Sequence, residues 1–95
     1  MVDVRRLIWD PGNIAHIARH GVTPDEVIDV CYGEHVSRDA YAGRTMIIGR
    51  AGSGRMIAVV LEPQGGGVYY PVTARPASRR ERRRLEAADR GDDVT

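Results

Sequence analysis

The sequence contains no lysine and no phenylalanine among its 95 residues, and it has a single cysteine, Cys31. One cysteine excludes an internal disulfide, a CxxC redox motif and a zinc site built on paired thiolates. Cys31 falls on the apolar stripe of a predicted helix, which favours a buried, inert thiol over a nucleophile. No apolar run approaches the ~18 residues that a membrane-spanning helix needs. Residues 1–10 lack the pattern of a signal peptide, so we expect a cytoplasmic protein without a membrane partner.

All 14 basic residues are arginine, and 13 acidic residues bring the net charge to +1. The hydrophobic fraction of 42% is typical of a globular chain, and the length allows one domain. We assign residues 1–88 to this domain and expect residues 89–95 to form an acidic, frayed tail. A chain of this size buries a thin core, so a permanent partner would add stability.

Local sequence signals predict eight secondary-structure elements. Residues 2–9 form a short apolar segment that predicts the first strand, and alternating patterns predict strands over 35–39, 44–50, 55–61 and 68–75. Helix starts are predicted at three capping motifs, Asp10-Pro11, Thr23–Glu26 and Ser78–Glu81. The order β-α-α-β-β-β-β-α predicts an α+β fold: a small antiparallel sheet with two N-terminal helices and one C-terminal helix.

The positive charge is concentrated in one segment. Residues 75–84 carry six arginines and one acid, a net charge of +5, whereas residues 1–74 carry seven arginines and eight acids. Because a guanidinium group pairs bidentately with phosphate, this segment is a candidate phosphate-binding surface. The alternative is a solvated helix face whose arginines pair with Glu81, Glu86 and Asp89. A genome rich in guanine and cytosine would also explain arginine without lysine.

Two histidines, His16 and His20, stand four residues apart on the first predicted helix, on a polar face with Asn13 and away from Ile14 and Ile17. This spacing can chelate a metal, but a catalytic zinc site needs a third ligand that no motif supplies, so we predict no metal site. Proton transfer near neutral pH is the second interpretation. A third is structural: His20 hydrogen-bonds a backbone carbonyl at the helix end.

Short motifs recur in a characteristic order along the chain. Residues 9–27 read WDPGNIAHIARHGVTPDEV, and residues 73–82 read TARPASRRER. Between them lie Gly43-Arg44, Ile48-Gly49, Gly54-Arg55 and Val59-Val60. Together, over residues 8–86, these motifs resemble the BrnT-like toxins. The sequence departs from that family at Arg19, where lysine is common, and at Arg83-Arg84-Leu85, where a run ending in tyrosine is usual.

The resemblance implies the toxin of a type II toxin–antitoxin pair, similar to the RelE group of small ribonucleases. It implies RNA cleavage that blocks translation. It also implies an antitoxin partner with a ribbon-helix-helix DNA-binding segment, which covers the toxin in a hetero-oligomer. The alternative on the same scaffold is a non-enzymatic protein that binds RNA or a protein target, because fold alone does not decide function.

Metal-free RNA cleavage must deprotonate the 2′-hydroxyl, stabilise the phosphorane and protonate the 5′ oxygen, and histidine with arginine can do this without a cofactor. We rank His20 above His16 as the acid/base group. Glu81 is an alternative base, although capping gives it a structural role. The candidate catalytic residues are His20, His16, Arg44, Arg75 and Arg79, and the candidate RNA-binding residues are Arg80, Arg82 and Arg83. On a helix, Arg79, Arg82 and Arg83 share one face, and Arg80 and Arg84 share another.

Overall fold

A computed structural model describes residues 2–91 of the chain. Three helices and five strands confirm the predicted α+β class and the order of the elements. The elements are β1 (Arg6–Leu7), α1 (Pro11–Ala18), α2 (Pro24–Tyr32), β2 (His35–Asp39), a 3-10 turn (Tyr41–Gly43), β3 (Thr45–Arg50), β4 (Met56–Gly65), β5 (Val68–Pro76) and α3 (Arg79–Arg90). No helix formed by residues 2–91 has the length and apolar character needed to cross a membrane.

The strands form one sheet in the order β1-β5-β4-β3-β2. Strands β2 to β5 make the predicted antiparallel meander, but β1 runs parallel to β5, so the sheet is mixed. The amides of Arg5 and Arg6 donate to the Gly67 carbonyl, and the Ile8 amide donates to the Tyr69 carbonyl. The N-terminal segment therefore pairs only with the first part of β5, and α1 follows directly after this segment.

The helices cover both faces of the sheet. Side chains of β4 alternate between the two faces, as the period of a strand requires. Ile57, Val59 and Leu61 pack with the buried residues of α1 and α2. Ala58 and Val60 belong to a second core with Leu85 of α3. This second, α3-side core consists of Met46, Ile48, Ala58, Val60, Ala77 and Leu85.

All three predicted helix starts are confirmed, and each is a complete capping box. The far end of α3 differs from the expectation of a tail from residue 89. The helix continues to Arg90 and ends at Gly91 in a left-handed conformation. Asp89 is held in the helix and pairs with Arg50 at the end of β3. The rest of the predicted tail, residues 92–95, lies outside the described residues.

The apolar stripe expected on α1 is only partly correct. Ile17 is fully buried, but Ile14 is 40% exposed, and Asn13 is buried rather than on the polar face with the histidines. The Asn13 amide nitrogen donates to the carbonyls of Ile8 and Pro71, and its oxygen accepts from the Asp10 amide. Since these bonds satisfy the side chain, Asn13 can be buried where α1 meets the edge of β5.

Cys31 and His35 are reactive residue types, but both are buried and have structural roles. Burial raises the pKa of the Cys31 thiol to about 12, which agrees with the expected inert cysteine. The third histidine, His35, is buried at the start of β2, where Nδ1 faces the carbonyls of Val30 and Gly33. Its Nε2 accepts from the Val2 amide. These partners require a neutral imidazole protonated at Nδ1, so His35 has a structural role.

Candidate functional site

Polar side chains line the α3-side face of the sheet beyond the part that α3 covers. The register pairs Val60 with Thr73 and Ala58 with Arg75, so Thr73 and Arg75 share the face of the α3-side core. One step further along the sheet, Glu62 pairs with Tyr70. Arg44 lies opposite Glu62, with 3.9 Å between its Nη2 and Glu62 Oε1. We call this set the polar face: Arg44, Glu62, Tyr70, Thr73 and Arg75.

The two candidate histidines lie at the edge of the polar face in different environments. Nε2 of His16 is 3.1 Å from Oγ1 of Thr73, so β5 orients its imidazole. His20 is exposed, and its ring contacts His16 edge-on with 5.4 Å between the ring centroids. Within residues 2–91 the His20 ring makes no hydrogen bond, neither to a backbone carbonyl nor to the polar face. The geometry thus connects His16, the second-ranked candidate, directly to the sheet.

Asp10 and Tyr70 form a pair that the sequence analysis did not identify. The Tyr70 hydroxyl donates to Asp10 Oδ2 over 2.9 Å. The Asn13 amide, followed by this hydroxyl, lowers the pKa of Asp10 below its usual value, and Asp10 raises the pKa of Tyr70. Asp10 is therefore a carboxylate and Tyr70 a phenol at neutral pH. The sequence marks Asp10 as a helix cap and Tyr70 as a strand residue. Neither signal indicates that these two residues, 60 positions apart in the chain, form a hydrogen bond.

Arg44 is held at the polar face but has free hydrogen-bonding capacity. Its guanidinium carbon is 4.9 Å from the centroid of the Tyr41 ring, and its side chain is 25% exposed. Its Nε is buried and has no hydrogen-bond partner. The 3.9 Å distance to Glu62 is too long for a strong ion pair. The exposed part of the side chain can therefore bind an anionic ligand without first breaking a close ion pair, whereas the buried Nε is closed to solvent.

Arg75 is in the opposite situation. Its Nη1 and Nη2 donate to Oε1 and Oε2 of Glu81 over 2.7 and 2.9 Å. Arg75 and the Ser78 amide lower the pKa of Glu81 to about 2, and Glu81 raises the pKa of Arg75. A carboxyl group of such low pKa is a weak base at neutral pH, so the geometry favours the structural role considered for Glu81. Both Nη atoms of Arg75, which could otherwise bind a phosphate bidentately, are already engaged by Glu81.

The arginines of α3 point in different directions. Glu81 and Leu85 are buried beneath the helix, and Asp89 reaches Arg50 near the β3–β4 turn. Arg80 precedes Asp89 by about two and a half helical turns, so it lies on the opposite flank, with Arg84 beside it. Since Asp89 on the other flank reaches Arg50, the flank with Arg80 and Arg84 faces, by its helical position, the part of the sheet that carries the polar face. Arg82 donates to the Ala77 carbonyl, and Arg79 and Arg83 lie on the outward side.

The side chains of four of these arginines make no hydrogen bond or ion pair within residues 2–91, namely Arg79, Arg80, Arg83 and Arg84. The expected pairing of the cationic segment with acidic neighbours is therefore limited, in this part of the chain, to Arg75 with Glu81. Arg80 and Arg84 are exposed and add positive charge on the flank of α3 that faces the polar face. Arg84 was not among the residues that we selected from the sequence, although its helical spacing from Arg80 was the available signal.

The site brings together chemistry for binding an anion and moving a proton. No group of three His, Cys, Asp or Glu side chains in the described part of the chain is arranged to hold a metal ion. Comparison with protein-family models and with curated proteins finds no match to this chain. The functional conclusion therefore depends on the residues of the polar face and its borders.

Proposed function

We propose that this protein is a BrnT-like toxin of a type II toxin–antitoxin pair and acts in the cytoplasm as a metal-independent endoribonuclease. One observation carries the proposal: an oriented histidine of α1 and a partly exposed arginine without a close ion pair, next to the start of β3, lie at the same polar face. Cations from a third element, α3, border this face. Histidine with arginine is a sufficient set for phosphodiester transfer without a metal.

In the proposed reaction, the 2′-oxygen attacks the adjacent phosphorus and the 5′-oxygen leaves. The products are a 2′,3′-cyclic phosphate and a 5′-hydroxyl. His16, oriented by Thr73, takes the proton of the 2′-hydroxyl and returns a proton to the leaving 5′-oxygen, and His20 is the neighbouring second group. Arg44 stabilises charge on the phosphorane, while Arg80 and Arg84 bind flanking phosphates. Arg75 positions α3 through Glu81 and adds positive potential to the site.

We further propose an antitoxin as the permanent partner, with a ribbon-helix-helix DNA-binding segment. The exposed arginines of α3 are complementary to an acidic segment of such a partner. A segment that lies across Arg80 and Arg84 would block access to His16. Covering this surface would stabilise a small domain and inhibit it at the same time.

The decisive experiment is cleavage of a defined transcript by purified protein in a metal chelator, with mapping of the RNA ends. We expect cyclic phosphate ends from the wild type. His16→Ala should reduce the rate by about 10²–10⁴-fold, because it removes the oriented acid/base group. His20→Ala should reduce the rate less, since its ring is not held by the sheet.

Ile14→Ala is the matched control, because Ile14 is an exposed α1 residue outside the polar face. It should cleave like the wild type. Absence of new RNA ends with wild-type protein, under conditions where expression arrests growth, would overturn the ribonuclease proposal. Equal rates for His16→Ala and the control would overturn the assignment of His16.

A non-enzymatic RNA-binding protein is the second candidate. The observation in its favour is that the Arg75 guanidinium is engaged by Glu81 and presents no free fork to a scissile phosphate. A pure binder would shift RNA in a gel, with affinity that falls steeply with salt, and would leave the transcript intact. End mapping and gel shift on the same samples distinguish the two candidates.

A further inference from the structure

Tyr41 is an exposed aromatic side chain for which neither the fold nor the proposed reaction gives a role. It is 59% exposed, the highest value among the large hydrophobic side chains described as exposed. It lies in the 3-10 turn that leads into β3, beside Arg44 of the polar face. An exposed ring next to a cation is the arrangement that proteins use to stack the bases of single-stranded nucleic acid.

The turn that carries Tyr41 is tightly constrained. The Ala40 amide donates to the Arg44 carbonyl over 2.8 Å, and the Arg44 amide donates to the Tyr41 carbonyl over 3.1 Å. Ala42 and Gly43 follow with φ of 55° and 74°. A left-handed conformation is costly for alanine, on the order of 1 kcal/mol, so the surrounding contacts enforce it. Tyr41 and Arg44 are thereby held in a defined mutual position.

Arg44 occupies one side of the Tyr41 ring, at 4.9 Å from the centroid. The cation–π contact holds the ring in place and leaves its other side open to solvent. A planar group that stacks on this open side would complete a stack of three layers: the Arg44 guanidinium, the Tyr41 ring and the planar group. The exposed part of the Arg44 side chain, which has no close ion pair, would then face the phosphate of the same nucleotide or the next.

Tyr41 and Arg44 lie at some distance along the sheet from Arg75 and the start of α3. Arg44 lies opposite Glu62, whereas Arg75 pairs with Ala58, four residues away along β4. Four residues of a strand span about 14 Å, which is more than one nucleotide occupies. A strand of RNA that reaches from the α3 arginines to Tyr41 therefore crosses the polar face.

Building on the proposed ribonuclease function, we propose that Tyr41 stacks on an unpaired nucleobase of the RNA substrate and fixes its register at the site. The ligand class is single-stranded RNA, because a duplex hides the faces of its bases. Tyr41 contacts the substrate but takes no part in proton transfer. Its loss should therefore weaken binding and leave the chemical step nearly unchanged.

The test uses single-stranded RNA oligonucleotides with one 2-aminopurine moved stepwise along the strand. With wild-type protein, stacking should quench fluorescence at one position relative to the cleaved bond. Tyr41→Ala should abolish this quenching and raise KM by ~5- to ~100-fold, with kcat within about twofold of the wild type. Tyr41→Trp should retain both the quenching and the KM.

Two further variants define the outcome. Tyr32→Ala is the matched control, because Tyr32 is 52% exposed on α2, on the other side of the sheet. It should leave KM unchanged. Tyr41→Leu keeps an apolar side chain without a ring, so it should behave like Tyr41→Ala, and thermal melting confirms that all variants are folded.

Failure of this inference is distinguishable from failure of the proposed function. If wild-type protein cleaves RNA but Tyr41→Ala matches Tyr32→Ala, stacking by Tyr41 is overturned and the ribonuclease stands. If Tyr41→Leu matches Tyr41→Trp, the contact is apolar packing and the stacking inference also falls. If wild-type protein neither binds nor cleaves RNA, the proposed function falls, and the inference with it.

Discussion

Glu81 serves two elements through one carboxylate. It accepts from the Ser78 amide at the start of α3 and from both Nη atoms of Arg75 in β5. The helix start is thereby joined to the last strand next to the polar face. These contacts favour the ionised form, so the pKa of Glu81 falls from 4.5 to about 2.

This pairing predicts a specific pH dependence of stability. The unfolded chain takes up a proton on Glu81 near pH 4.5, whereas the folded chain does so at about pH 2. The contribution to the free energy of unfolding is therefore complete above the higher value and is lost as pH falls through the lower one. Glu81→Gln keeps an oxygen for the cap but no charge, so it should be less stable than the wild type at neutral pH by about 1–3 kcal/mol.

Urea unfolding at pH values from neutral to 2 measures this effect. The difference between wild type and Glu81→Gln should shrink as the pH decreases. Glu86→Gln removes the same charge from a neighbouring helix position that makes no hydrogen bond or ion pair within residues 2–91, and it should show no such trend. A difference for Glu81→Gln that stays constant across this range would contradict the prediction.

At the scale of elements, α1 is joined to the sheet edge by several polar contacts in addition to the buried Ile17. Asn13 links the helix start to Ile8 and Pro71, Asp10 binds Tyr70, and His16 binds Thr73. The partners from Pro71 to Thr73 lie beside the register shift between β4 and β5. The orientation of His16 is therefore a consequence of how α1 docks.

Loss of the Asn13 side chain should loosen this docking. Asn13→Ala leaves the Asp10 amide and two carbonyls without their partner, so we expect a loss of about 2–4 kcal/mol in the free energy of unfolding. Chemical denaturation gives the value, and Ile14→Ala, at an exposed position of the same helix, should cost far less. A loss for Asn13→Ala no larger than that of Ile14→Ala would show that α1 docks without this amide.

At the scale of the whole molecule, the net charge of +1 hides a marked asymmetry. The six arginines of residues 75–84 lie at the end of β5 and on α3, and they divide by direction. Arg80 and Arg84 border the polar face, whereas Arg79 and Arg83 lie on the outward side. Residues with identical charge thus differ in what they can contact.

This division predicts unequal effects of two double variants that remove the same charge. Arg80→Ala with Arg84→Ala should weaken RNA binding more than Arg79→Ala with Arg83→Ala, and should reduce the slope of log affinity against log salt by about one to two. Fluorescence titrations over a range of salt concentrations measure both quantities. Equal loss of affinity in the two variants would mean that net charge, not position, governs binding.

The local interactions of the chain were sufficient to predict its elements. Helix starts depend on contacts three residues apart, such as Thr23 with Glu26, and the strands depend on a period of two. The α+β class, the element order and the cationic segment at 75–84 follow from such patterns. The candidate residues of the site were also visible as residue types, but not their mutual arrangement.

Contacts between distant residues decided the rest. The parallel pairing of β1 with β5, the burial of Asn13 and the Asp10–Tyr70 bond join segments about 60 residues apart, and no local period encodes them. Tertiary packing puts Thr73 beside His16, which distinguishes His16 from His20. It also brings Arg75 to Glu81 and leaves Arg44 Nε without a partner. By itself, the sequence determined which chemical groups are present, because composition and local propensity are properties of the chain. Only the tertiary structure decided which groups meet and which stay free, because strand register and helix docking depend on packing across the whole domain.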